Sequence, residues 1–145
     1  MVIGIFGESC VGKSTLAELL KVKIGAQIYT GKDYLRLSKS ESIAKKLFAK
    51  KLKDAITDGH IIYVISEKEN LSLLPDDTLR ILVTADLDLI QERFAARMNG
   101  NLPEPVKMML QRKHGLFNDE KYDFHYHSGK DSFNFACDEI VDAIA

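Results

Sequence analysis

Short apolar runs alternate with amphipathic stretches along this chain, and the alternation predicts strands and helices in turn. Residues 2–6 (VIGIF) form a nearly continuous apolar run rich in β-branched and aromatic residues, which is typical of a buried parallel strand. The next stretch carries leucine and isoleucine at helical spacing, at Leu16, Leu19, Leu20 and Ile24. It predicts a helix over residues 13–24 that Gly25 ends.

The same alternation continues through the rest of the chain. Four more strands are predicted, at residues 26–29, 60–66, 79–85 and 122–127. Four more helices are predicted, at residues 38–57 with a capping box from Ser38 to Glu41, from the cap Asp86 to just before Gly100, from about Pro105 to His114, and at 132–144. This order predicts one α/β domain, residues 1–145, in which helices cover both faces of a parallel sheet.

The composition is that of a globular protein with no general attraction to other macromolecules. The 145 residues, 46% hydrophobic and 28% charged, are enough for a single core. A net charge of -1 gives no pull toward nucleic acid or acidic membranes, so neither is expected as a partner. Two widely separated cysteines, and a first stretch without a signal-peptide pattern, predict a cytoplasmic protein.

The segment "GESCVGKS", residues 7–14, follows the first predicted strand and opens the first predicted helix. It fits the phosphate-loop pattern G-x4-G-K-[ST] at every defined position. Backbone N–H groups of such a loop point at phosphate oxygens, with Lys13 on the β- and γ-phosphates and the Ser14 hydroxyl on Mg²⁺. The residues predicted to hold ATP here are Gly7, Glu8, Ser9, Cys10, Val11, Gly12, Lys13, Ser14 and Thr15.

A second group of polar residues, "YTGKDYLR" (29–36), follows the second predicted strand. It therefore lies at the carboxyl edge of the sheet, where ligands bind in open α/β folds. Asp33 and Arg36 could orient a phosphoryl acceptor and clamp its phosphate there. Spacing alone fits equally well with Asp33 as a helix cap and Arg36 on a solvated face.

Three arginines surround a predicted break in the helical pattern. Arg93 and Arg97 are four residues apart and share a helix face, and Arg112 follows the break. Phosphoryl transfer needs positive charge around the migrating group, and a segment such as 98–112 can act as a short lid. The alternative is a charged outer face on which these arginines pair with neighbouring glutamates.

"GESCVGKST" followed by "TGKDYLR" resembles the adenylate-kinase-like nucleoside and nucleotide kinases. The family's Thr-Gly-Asp-x-Leu-Arg segment is matched by Thr30, Gly31, Asp33, Leu35 and Arg36, with Lys32 inserted. The resemblance implies that Arg36 holds the acceptor's phosphate. It also implies that Asp33 orients or deprotonates the acceptor hydroxyl.

The resemblance continues toward the end of the chain. "DLIQERFAARM" is similar to the helix that enters the family's lid, and "LQRKHG" to the segment after it, which implies phosphate contacts for Arg93, Arg97 and Arg112. "YDFHYHSGKDS" resembles the loop near the adenine, which implicates Ser128, Gly129 and Lys130. The implied fold is a three-layer α/β/α P-loop NTPase with a five-stranded parallel sheet in the order 2-3-1-4-5. An acceptor-binding region at about 30–75 and a short lid at about 98–112 are implied as well.

The predicted function is ATP- and Mg²⁺-dependent phosphoryl transfer to a nucleotide, a nucleoside or a similar small metabolite. One departure from the family concerns strand three, which usually ends in an acidic residue that supports Mg²⁺. Here it ends in Ser66 and Glu67, with no aspartate. The alternative function is therefore an ATP-binding module without kinase turnover. His125 and His127, on one side of a predicted strand, are interpreted as packing or edge residues rather than metal ligands.

Overall fold

A five-stranded parallel sheet with helices on both faces forms this protein, whose computed structural model describes residues 1–144. The strands are β1 (Val2–Phe6), β2 (Gln27–Thr30), β3 (Ile61–Ile65), β4 (Leu79–Thr84) and β5 (Phe124–His127). The helices are α1 (Lys13–Ile24), α2 (Glu41–Ala55), α3 (Leu87–Arg97), α4 (Glu104–Lys113) and α5 (Phe133–Ile144). All strand pairs are parallel, in the order β2-β3-β1-β4-β5. The predicted architecture and strand order are confirmed.

Two apolar clusters, one on each face of the sheet, form the core. Successive residues of β1 point to opposite faces, so Ile3 and Ile5 join the cluster that includes buried residues of α1 and α5. Val2 and Phe6 join the cluster that includes Phe48 of α2. Because β1 is buried on both faces, it has to be apolar throughout, and this produces the continuous run seen in the sequence.

The second predicted helix is shorter than its pattern suggested, and its predicted cap is wrong. Ser40 is the N-cap, since its Oγ accepts from the Ile43 amide at 3.5 Å. The Ser38 Oγ instead accepts from the Ser40 amide at 3.2 Å and closes a turn before the helix. Asp86 does stand at the N-cap position of α3, but its side chain makes no capping bond. Its carboxylate lies 3.1 Å from His127 instead.

Two short 3₁₀ helices, Asp33–Leu37 and Lys68–Leu73, were not predicted from the sequence. Each has only five or six residues, too few to show a helical period of apolar positions. They follow β2 and β3 and so stand at the carboxyl edge of the sheet beside the phosphate loop. Within residues 1–144, none of the helices has the length and apolar character needed to cross a bilayer.

Candidate functional site

The phosphate loop turns from the end of β1 into the start of α1. A Cβ on Gly7 would lie 2.2 Å from the backbone oxygen of Val83, so only glycine fits where the loop passes β4. Gly12, the N-cap of α1, has φ +105°, a conformation that side chains strongly disfavour. The fold therefore requires both glycines of the motif. The loop leads directly into the N-terminus of α1, a helix of twelve residues, so the positive end of the helix dipole lies beside the loop.

Lys13 is buried and folds back onto the loop that precedes it. Its Nζ donates to the carbonyl oxygens of Gly7, at 2.8 Å, and Glu8, at 2.5 Å. The pKa of Lys13 is lowered to about 8, mainly because the side chain is buried; Cys10 and Glu8 oppose this shift, and the nearby Arg97 adds to it. Both acceptors are uncharged carbonyls, so an anionic phosphate oxygen would be a stronger partner for this ammonium group.

Two adjoining cavities flank the loop. The smaller, of about 230 Å³, is lined by Lys13 and Ser14 on the loop side and by Thr30 and Ser66 at the ends of β2 and β3. The larger, of about 430 Å³, is lined on its far side by residues after β5 and at the start of α5, namely Ser128, Gly129, Asp131 and Phe133. The two cavities share Cys10, Gly12, Thr15 and Arg97. Their arrangement suits a phosphate chain near Lys13 with its remaining part in the larger cavity.

Arg93 and Arg97 of α3 both line the larger cavity and so share one face of the helix, as their spacing predicted. The guanidinium of Arg93 donates from Nη1 to the Cys10 carbonyl and from Nη2 to the Ser128 hydroxyl, each at 3.0 Å. Arg97 is more exposed and lines both cavities. One turn of α3 therefore brings two positive charges to the loop, one fixed by hydrogen bonds and one at the cavity wall.

The predicted acceptor residues lie at the carboxyl edge of the sheet but line neither cavity. Asp33 is exposed, and its Oδ2 accepts from the Thr30 amide at 2.9 Å, which closes the turn after β2. The Arg36 guanidinium lies over the Tyr29 ring, 4.7 Å from its centroid. Asp33 does not cap the 3₁₀ helix Asp33–Leu37, whose N-cap is Lys32, and its role toward an acceptor stays a prediction.

Arg112 and Lys130 are exposed, and neither lines the two cavities. Arg112 is in the last turn of α4, and Lys130 is in the turn after β5, where its amide donates to the His127 carbonyl at 3.1 Å. Residues 98–103 connect α3 to α4 within the predicted lid. The roles predicted for Arg112, for Lys130 and for this segment as a lid remain predictions.

The structure brings two further residues to the phosphate end: Thr30, which the sequence marked only as part of a matched motif, and the half-buried Ser66, which it marked only as the end of strand three. Both follow directly from topology, since they stand at or just past the carboxyl ends of β2 and β3, the strands beside β1. A reading of strand ends alone would have found them. Phe133, in contrast, reaches the larger cavity because α5 packs beside α1, a tertiary contact with no local sequence signal.

Sequence comparison finds no matching protein-family profile and no matching curated protein. Solved structures do match over nearly the whole chain. Shikimate kinase from Acinetobacter baumannii in complex with shikimate is 12% identical, with 99% of this chain and 92% of that chain covered and a TM-score of 0.66. A gluconokinase from Sinorhizobium meliloti is 13% identical, with 97% and 89% covered and a TM-score of 0.60.

The YorR protein from Bacillus subtilis, in complex with phosphorylated GDP, is 18% identical to this chain. The match covers 99% of this chain and 95% of that chain, with a TM-score of 0.64. At these identities the likeness concerns the fold. The chain has the three-layer α/β/α fold that P-loop small-molecule kinases adopt, as the family resemblance implied.

Proposed function

We propose that this protein transfers the γ-phosphoryl group of ATP to a small metabolite. The observation that carries the proposal is the smaller cavity. Buried Lys13 and the Ser14 hydroxyl form one of its walls, and Thr30 and Ser66 form another at the sheet edge. A phosphate held by Lys13 would thus face the edge where an acceptor can approach. The kinase fold of the structural neighbours supports the same chemistry.

The residues around the loop fit ATP and its metal. The loop amides and Lys13 would hold the phosphates, the Ser14 hydroxyl would hold Mg²⁺, and the base would lie in the larger cavity near Ser128 and Gly129. Bound Mg²⁺ supplies charge neutralisation on the phosphate oxygens. No group of three or more His, Cys, Asp or Glu side chains in residues 1–144 is placed to hold a metal ion, so the metal would depend on the nucleotide for most of its ligands.

The charged residues divide between the two reactants in this proposal. Arg93 fixes the loop against the turn after β5, and Arg97, with Arg112 after lid closure, stabilises charge on the transferred group. Asp33 and Arg36 act on the acceptor: Asp33 accepts its hydroxyl proton and Arg36 binds an anionic group on it. To do so, Asp33 has to leave its contact with Thr30, and Arg36 its contact with Tyr29, unless the substrate approaches each side chain from its free side.

A second function, ATP binding without transfer, is favoured by one observation. None of the side chains lining the smaller cavity is a carboxylate, within the part of the chain that the structure describes. The nearest candidate base from the sequence, Asp33, is bonded to Thr30 through one of its oxygens. Such a protein would hold ATP or ADP tightly without turning it over.

The deciding experiment measures ADP release from Mg·ATP across a panel of nucleosides, nucleotides, sugars, sugar acids and hydroxylated ring acids. We expect at least one acceptor to stimulate ADP formation and Lys13→Ala to abolish the stimulation, because it removes the buried charge at the phosphates. ATP affinity, measured by calorimetry in parallel, separates the two functions. Tight ATP binding with no stimulation by any acceptor would favour the binding module over the kinase.

A further inference from the structure

A third cavity, of about 340 Å³, opens at the carboxyl ends of β4 and β5, and none of the residues lining it lines the two cavities beside the phosphate loop. We call it the histidine cavity, because His114, His125 and His127 all line it. Thr84 and Asp86 complete the wall that carries His125 and His127. Its volume is at the lower end of the range of ligand pockets, about 300–1,000 Å³.

A hydrogen-bond chain along one wall fixes the proton positions of two imidazoles. The His127 Nε2 lies 3.1 Å from Asp86 Oδ1, and an ionised carboxylate only accepts, so Nε2 carries the proton. When the His127 ring carries this single proton, its Nδ1 is a lone pair that lies 2.7 Å from the Thr84 Oγ1, and Thr84 then donates to it. Since Thr84 has one proton, it accepts from the His125 Nε2, also at 2.7 Å. His125 is left with a lone pair at Nδ1.

The opposite wall repeats this arrangement with a different carboxylate. The His114 Nδ1 lies 3.0 Å from Glu8 Oε1, and the other oxygen of Glu8 accepts from the Gly115 amide at 3.1 Å. The Glu8 side chain is only 10% exposed, so these two bonds hold it in place. His114 Nδ1 therefore donates, and when the ring carries this single proton its Nε2 is a lone pair. Each wall thus carries one imidazole whose remaining nitrogen is an acceptor.

The histidine cavity consequently presents several acceptors, and the Asn118 amide and the Tyr122 hydroxyl, which also line it, can donate. The two imidazole lone pairs and the exposed carboxylate of Asp86 could each accept a hydrogen bond from a hydroxyl group of a ligand. The half-exposed ring of Tyr122 packs 5.4 Å from the His125 ring and offers an apolar surface to ring carbons. A metal ion is disfavoured, because no group of three or more His, Cys, Asp or Glu side chains in residues 1–144 could hold one. We propose that this cavity binds a small, neutral, polyhydroxylated molecule of the sugar or cyclic-polyol class.

The test measures binding to the full chain at pH 8 without ATP, by saturation-transfer NMR and calorimetry. D-Glucose, D-ribose and myo-inositol are the probes, with inorganic phosphate and Zn²⁺ as competing chemistries. We expect at least one polyol to bind, and His125→Ala to weaken it about tenfold, because one hydrogen bond to the ligand is lost. Thr84→Val keeps His125 but removes the hydrogen bond that orients its ring, so it should weaken binding by a smaller factor. Asp119→Ala, an exposed change outside the cavity, should leave it unaltered.

Three results would overturn the proposal. The first is failure of every polyol to bind, and the second is binding of phosphate or Zn²⁺ alone with dependence on His125. The third is equal polyol affinity in His125→Ala and the wild type, since the site would then lie elsewhere. Circular dichroism and thermal unfolding of each variant establish that it is folded. Lys13→Ala separates this site from the proposed kinase site, because it should remove ATP binding while polyol binding persists.

Discussion

The guanidinium of Arg93 donates a hydrogen bond to the backbone carbonyl of Cys10, at 3.0 Å, across the top of the phosphate loop. Cys10 is a non-glycine residue with φ +65°, so this carbonyl belongs to a strained turn that benefits from an external partner. The second nitrogen of Arg93 holds Ser128 at the same distance. One side chain therefore sets the spacing between two walls of the larger cavity.

Replacing Arg93 should weaken ATP binding. Arg93→Ala removes the two hydrogen bonds that set the spacing between the walls of the larger cavity, and it removes a positive charge beside the phosphate loop, so we expect at least about a tenfold rise in the Kd for ATP. Calorimetric titration of Mg·ATP checks it. The matched control is Glu92→Ala, an exposed neighbour on the same helix that lines neither cavity. Equal affinities in the two variants would contradict a positioning role for Arg93.

Adding a single methyl group at Gly7 should destabilise the whole domain. The new Cβ of Gly7→Ala would lie 2.2 Å from the Val83 oxygen, a backbone atom of β4 that cannot move without disturbing the sheet. We expect a loss of about 3 kcal/mol or more in the free energy of unfolding, measured by urea denaturation. Gly31→Ala is the control, because Gly31 has φ +56° but open space around it, and should cost only about 1 kcal/mol.

The phosphate loop and the strands could be predicted from the residues because their signals are local. The Gly7–Ser14 pattern demands a strand before it and a helix after it, and both were found within a residue or two of the predicted limits. Buried parallel strands such as Ile61–Ile65 are recognisable in the sequence as continuous apolar runs. The strand order, in contrast, was implied by the family resemblance and not by a local signal, and the strand pairing confirms it.

The acceptor side could not be predicted in the same way, because its geometry depends on contacts between distant segments. The sequence cannot reveal that Arg36 lies over the Tyr29 ring or that Asp33 closes a turn with Thr30. The cavity formed by His114 and His125 likewise needs the segment after α4 to reach the end of β5. In each case polar side chains have partners set by tertiary packing, which no periodic pattern encodes.

Removal of the Ser14 hydroxyl should abolish the contribution of Mg²⁺ to nucleotide affinity. Ser14 is exposed and lines the smaller cavity at the first turn of α1. We expect wild-type protein to bind ATP more tightly with Mg²⁺ than with EDTA, and Ser14→Ala to bind with the EDTA-like affinity under both conditions. Calorimetry with and without the metal supplies the comparison. A Mg²⁺-dependent gain that survives in Ser14→Ala would assign the metal to other ligands.

Substitution of Asp33 by asparagine should separate its chemical role from its structural one. Asp33→Asn keeps an oxygen that can accept from the Thr30 amide and loses only the charge and basicity. If Asp33 takes the acceptor's proton, acceptor-stimulated ADP formation should fall about 100-fold or more while the midpoint of thermal unfolding is unchanged. Asp33→Ala should lower both. Full activity in Asp33→Asn would mean that Asp33 only closes the turn with Thr30 and takes no proton from the acceptor.

Lys13 should make the stability of the protein rise between about pH 8 and pH 10. Burial lowers the pKa of Lys13 from 10.5 to about 8 in the folded chain, so between these values the unfolded chain binds more protons. The free energy of unfolding then increases with pH in that window, and the cost of burying the charge is fully present below pH 8. The total gain in the free energy of unfolding from deprotonation of Lys13 is about 3 kcal/mol, at 1.36 kcal/mol for each pKa unit.

The difference between wild type and Lys13→Met isolates this effect, since methionine fills similar space and does not titrate. Burial also raises the pKa values of Tyr63 and Tyr126, which lowers stability above pH 10, but both tyrosines are present in both proteins and their contribution cancels. In urea denaturation at pH 7, 8, 9 and 10, the free energy of unfolding of the wild type should therefore increase relative to that of Lys13→Met as the pH rises. Parallel stability curves across this range would mean that Lys13 keeps an ordinary pKa, and that its charge is better solvated than its burial implies.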